Sequence, residues 1–75
     1  MNIWNYLEKR SKRKSLEKLR QYYLGEYEEL EDSIRYIGRM GWDRQTQIDQ
    51  FKYMKNQSNA LKAKAEEIEK QIMEL

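Results

Sequence analysis

Thirteen Asp and Glu residues but no His and no Cys leave carboxylates, hydroxyls and amines as the groups that could do chemistry in this 75-residue chain. Histidine is the side chain that titrates near neutral pH, and a thiolate is the readiest nucleophile. Without either, acid–base work would fall to a carboxylate whose pKa is raised by burial or by a close neighbour. The acidic residues instead stand in open runs, Glu26, Glu28, Glu29 and Glu31, then Glu66, Glu67 and Glu69. A scaffold of this size is too thin to desolvate such runs. No glycine-rich phosphate cradle occurs, and no spaced acidic loop of the kind that holds calcium. The sequence therefore predicts no catalytic residue, no cofactor and no metal, and a protein that acts by binding.

Two groups of residues are candidates for that binding. The first is the basic run Lys9, Arg10, Lys12, Arg13 and Lys14, with Trp4, Tyr6, Tyr22 and Tyr23 to either side. Such a cluster can neutralise nucleic-acid phosphates, and flanking aromatics can stack on exposed bases. It also suits an acidic protein partner, or a solvated face with no ligand. Insertion of Ile3, Trp4 and Leu7 into a membrane surface is disfavoured, because that apolar face is only about two turns long. The second group is the surplus of aromatics, 12% of the chain with six tyrosines. Tyrosine and tryptophan combine large apolar area with a polar handle and are enriched at interfaces. Tyr36, Met40, Trp42 and Tyr53 are the predicted protein-partner residues, with Met40 and Trp42 presented at a turn.

The stretch Gln45–Asp49, QTQID, resembles a motif of the bacterial sporulation aspartyl-phosphatase family, whose small helical hairpins carry Ser-Gln-x-x-Asp early in their second helix. Ile48 and Asp49 match the leucine and aspartate of that pattern, whereas Gln45 and Thr46 stand in place of Ser-Gln. The resemblance implies a hairpin of similar size and carries over no activity.

The elements that position these residues follow from periodicity. Leu61, Ala65, Ile68, Ile72 and Leu75 alternate steps of four and three, and the stripe runs back through Ser58, Met54 and Phe51 with Ile48 on its shoulder. Tyr23, Tyr27, Leu30, Ile34 and Ile37 form a second such stripe, extended upstream by Leu19 and Leu16. Each is the seam of a coiled-coil-like helix. The absence of proline suits a chain that is nearly all helix. Between the stripes, Gly38 and Gly41 supply the turn, Asp43 is an N-cap, and Trp42 could fold back on Gln47 or Ile48. Gly25 lies off the stripe, marking either a close contact or a tolerated surface position. The fold class expected is all-α, a long antiparallel hairpin forming one domain. Helix 1 spans about 3–37, the turn 38–42 and helix 2 about 43–74.

A turn centred near residues 39–41 would set position i opposite about 80 minus i. That register places the acidic run beside Lys52 and Lys55, and the basic run beside Glu66, Glu67, Glu69 and Glu74. Residues 8–15, EKRSKRKS, hold no apolar side chain, and two accounts compete. Either helix 1 continues through them, with aliphatic stems over the seam and Ile3, Trp4 and Leu7 packed on Met73 and Leu75, or residues 1–14 form a separate basic arm.

A chain this small buries only about 60% of its unfolded surface, and with no disulfide or zinc site the remaining remedy is oligomerisation or docking. Two hairpins pairing into a four-helix homodimer, or one hairpin bound to a larger protein, would supply it. The functional expectation is a small adaptor, inhibitor or regulatory protein, of bacterial or phage type, that masks or bridges a partner surface. A DNA- or RNA-binding accessory protein using the basic run is the alternative. The start MNIWNYLEKR has no apolar signal core, so a cytoplasmic location is expected.

Overall fold

The computed structural model describes residues 3–75. Helix α1 spans Ile3–Arg35, a 3₁₀ turn spans Ile37–Arg39, and helix α2 spans Arg44–Met73. The two long helices pack against each other as a hairpin with Cα extents of 62 × 14 × 10 Å. Among the described residues there is no strand, and no helix is long and apolar enough to cross a membrane.

Periodicity explains the pairing. On α2 the seam is drawn by Met54, Ser58, Leu61, Ala65, Ile68, Ile72 and the terminal Leu75, none of them exposed, in a strict four-three alternation, with Gln47, Gln50 and Lys55 also half-buried. On the other side the seam runs through Leu16, Arg20, Tyr23, Tyr27, Leu30 and Ile34 to Ile37 in the 3₁₀ turn, with Leu24 and Glu31 also half-buried. The stripe thus passes through Arg20 and leaves Leu19 exposed, correcting the expectation that Leu19 faces the seam. Four-three spacing demands position 20, and the arginine stem is long enough to lie along the seam with its head at the edge. Arg20 reaches Glu69 on α2 at 3.8 Å, while its Nε is buried with no hydrogen-bond partner among the described residues. The fully buried apolar core is small: Ile37, Ala65 and Ile68.

The turn uses different glycine chemistry from that expected. Gly41, with φ of 74°, is the residue in the left-handed region, whereas Gly38 keeps a negative φ inside the 3₁₀ turn. The chain tightens into 3₁₀ geometry before reversing, with Met40 N–H donating to Ile37 O at 3.3 Å. Asp43 then caps α2, its carboxylate accepting from Thr46 N–H at 2.7 Å. Gln47 secures the entry by donating to the Trp42 carbonyl at 2.8 Å.

The register also departs from expectation. Glu31 meets Lys55 and Ser58, Arg20 meets Glu69, and Tyr27 meets Lys62, so facing positions add to 86–89 and not 80. The physical reason is the length of the connection. Residues 36–43 do not reverse at a point but lie alongside the first turns of α2, so α1 is displaced along its partner. Leu75 consequently falls level with residues 11–14, and the start of α1 overhangs by about eight residues, roughly 12 Å at 1.5 Å per residue.

Helix α1 is unbroken through 8–15, but its stems do not cover a seam there. Every described residue before Leu16 is exposed. Ile3, Trp4 and Leu7 do not pack on Met73 and Leu75, because α2 has ended before their level is reached.

Candidate functional site

Three regions of the hairpin carry side chains that could engage another molecule. The turn end is built from Tyr36, Met40 and Trp42, all exposed. Tyr36 closes α1, and the Arg39 guanidinium lies 5.4 Å from its ring centroid, a cation–π contact that holds the ring outward. Met40 is carried on the end of the 3₁₀ turn, and Trp42 immediately precedes the N-cap. Tyr53 lies ten residues inside α2, yet the observed register brings it level with residues 33–36. Its hydroxyl accepts from Gln57 Nε2 at 3.0 Å. The four predicted residues therefore share one end of the molecule without forming a single ring cluster.

Beside them lies an apolar groove not anticipated from the pattern. Phe51 continues the α2 stripe, with Ile48 on its shoulder, so periodicity placed Phe51 in the seam and Ile48 at its edge, but both are exposed. They line a concavity with Ile34, Ile37 and Gly38, edged by Arg44, Gln47 and Lys52. The cause is again the connection: opposite these positions stands a slim 3₁₀ turn rather than a full helix, so both residues remain partly uncovered. A wider groove follows the middle of the hairpin, with Tyr23, Leu30, Ala60 and Leu61 flanked by Glu26, Glu29 and Lys64.

The electrostatics concentrate at two points. Ser58, fully buried at a seam position, donates its hydroxyl to Glu31, and Lys55 Nζ binds the same carboxylate oxygen at 2.9 Å. The Ser58 hydrogen bond first, then Lys55, holds the Glu31 carboxyl below the ordinary carboxylate range. A polar residue at a seam position is a register device, since only one alignment gives it a partner. At the turn, hydrogen bonds from Thr46 hold Asp43 below its usual value.

The third region is the overhang. Lys9, Arg10, Lys12, Arg13 and Lys14 are exposed and make no ion pair among the described residues. The expected glutamate complement is displaced: Glu66, Glu67 and Glu69 stand level with residues 17–23, and only Glu74 lies at the level of Lys12–Lys14. Residues 1–20 hold seven basic and two acidic side chains, and residues 21–75 hold eight and eleven. Positive charge is therefore gathered round the end of α2, with Lys9 and Arg10 on the overhang and Lys12, Arg13 and Lys14 beside the last residues of the partner helix.

Asp49, the matched aspartate of QTQID, is an exposed residue on α2 that accepts from Gln45 Nε2 at 3.0 Å. Among the described residues no three acidic side chains converge to hold a cation. Neither a family model, nor a curated protein, nor a solved structure matches the chain.

Proposed function

We propose that this protein is a non-enzymatic interaction module, a small adaptor, inhibitor or regulatory protein that masks or bridges a protein surface with its turn end and the adjoining groove. The observation that carries this reading is the mismatch between core and surface. Three apolar side chains are buried, while thirteen large hydrophobic ones are exposed among the described residues. The accessible surface is 6354 Å², against about 5,000 Å² for a compact protein of this mass. The difference exceeds the roughly 800 Å² that each partner contributes to a standard protein–protein interface.

Met40 and Trp42 are the anchors in this reading, because flexible sulfur and a rigid aromatic at a protruding turn fit a partner's pocket. Tyr36 and Tyr53 widen the patch, and Ile48 and Phe51 line the groove that a partner side chain would enter. The cover is either a second hairpin, giving a four-helix assembly, or a larger protein.

The test combines mass and stability. Light scattering with size exclusion is run at low and high salt on a nuclease-treated preparation, followed by urea unfolding at several protein concentrations. A dimer in both salts, or a monomer stabilised by less than about 5 kcal/mol, at the low end for a domain, supports the reading. A monomer holding more than about 8 kcal/mol by itself would show that the surface needs no cover and would overturn it.

A further inference from the structure

A register displaced by six to nine positions leaves the first turns of α1 as a bare helix projecting past the end of α2. Its heptad does not stop there. The seam alternation that runs through Leu16 continues backwards to Arg13, Lys9 and Tyr6, so the face that would meet a second helix turns cationic where that helix ends. Ile3 and Leu7 lie off that line, about 90–130° round the helix from it. We infer that this overhang, with the turn of α1 beside the end of α2, is a DNA-binding element, in which Lys9, Arg10, Lys12, Arg13 and Lys14 engage the phosphates lining the major groove of duplex DNA.

Three observations select that occupant. The first is charge without a counter-charge: these residues are exposed, make no ion pair among the described residues, and form the only strongly basic stretch of the chain. The second is the absence of apolar side chains from residues 8–15. A protein interface is built round an apolar centre, whereas a polyanion needs none, since counterion release drives the association.

The third observation is shape. At about 100° per residue the five basic side chains spread over an arc of about 200°. A helix lying on a flat bilayer confines its charges to one side, but here Lys14 shares its direction with Ile3 and Leu7. A helix in a major groove has phosphates on both walls, which a wide arc can reach. That groove is about 12 Å across and admits one helix. The paired body, 14 × 10 Å on Cα positions alone, is too broad once side chains are added, so entry is confined to the overhang and the turn of α1 that follows it, where α2 ends. Phosphate contacts position a helix without reading sequence, and the binding is therefore sequence-independent.

The test is fluorescence anisotropy of a labelled 20-base-pair DNA duplex titrated with the full chain. At 50 mM salt the dissociation constant should lie in the micromolar range. Raising salt to 200 mM should weaken it about 150- to 500-fold, a log–log slope of about −3.6 to −4.5 for four or five phosphates. Reversing Lys12→Glu, Arg13→Glu and Lys14→Glu together should lower affinity at least about 30-fold with helicity unchanged by circular dichroism. Lys52→Glu, Lys64→Glu and Lys70→Glu make the same change in net charge on α2 and should cost less than about threefold.

Equal losses from the two triple variants would mean diffuse attraction and overturn the assignment, as would absence of binding at 50 mM salt. Tighter binding to duplex RNA, to polyglutamate or to phosphatidylglycerol vesicles than to the DNA duplex would overturn the choice of occupant. The interaction reading given above does not depend on the result, because it uses the opposite end of the hairpin.

Discussion

Replacing Ile3 and Leu7 together by alanine separates the observed register from the one that a tight turn would impose. Had α1 and α2 aligned about residue 40, both side chains would lie level with the end of α2, where Met73 and Leu75 could cover them. Fully burying an isoleucine or leucine is worth about 1.5–3 kcal/mol, so their joint loss would cost about 3–6 kcal/mol. That is a large part of the total stability of a 75-residue chain, about 4–11 kcal/mol. In the structure Ile3 is 67% and Leu7 45% exposed, and α2 does not reach them. What remains to lose is contact within their own helix, and alanine has the higher helix propensity. The expected change is therefore within about 1 kcal/mol in either direction. Urea unfolding followed by far-ultraviolet circular dichroism measures it. A loss above about 3 kcal/mol would refute the displaced register and remove the bare overhang on which DNA binding depends.

Ile68→Ala, at a position only 4% exposed, should cost about 2–4 kcal/mol in the same assay, whereas Met73→Ala, 81% exposed, should stay within about 0.5 kcal/mol. Gly25→Ala should stabilise the chain by about 0.5–1 kcal/mol, because a Cβ at this mid-helix position meets nothing within 4 Å. Folding depresses the pKa values of Glu31 and Asp43, so their stabilising effect is complete above the ordinary carboxylate range. It is lost as pH falls through the lower folded values. The urea midpoint should thus decline on acidification below about pH 4–5, and Glu31→Gln should flatten that decline. An unchanged acid profile in Glu31→Gln would contradict the role given to Ser58 and Lys55.

The all-helical hairpin was legible because apolar spacing of three and four is a local property, repeated along both halves. The N-cap at Asp43 was equally legible, since a carboxylate followed by a helix-forming run meets its amide three residues on. The register was not. It depends on how residues 36–43 travel, and GRMGWD can reverse at once or climb along the next helix without any change in periodicity. Tightening into a 3₁₀ turn before Gly41 decided it. Ser58 held the missing signal: a lone hydroxyl in an otherwise apolar stripe asks for a cross-helix acceptor, and Glu31 satisfies it only in the displaced alignment. Placing Arg20 in the seam needed the same strict alternation, which Leu19, one position away and apolar, obscured. At the candidate site, Tyr36, Met40, Trp42 and Tyr53 were readable as residues off the stripes. The groove at Ile48 and Phe51 was not, because Phe51 keeps the stripe's spacing with Ile48 on its shoulder, and both are uncovered only by what lies opposite.

The most direct test of the interaction reading places a photo-crosslinking residue at Met40 in the full chain, expressed in the cells it comes from, with a matched probe at the exposed Asn59 of α2. Irradiation should give one discrete, nuclease-resistant adduct from the Met40 probe that disappears with Trp42→Ala and is absent from the Asn59 probe. No adduct from Met40, or one that survives Trp42→Ala unchanged, would contradict the claim that the turn end is where this protein meets its partner.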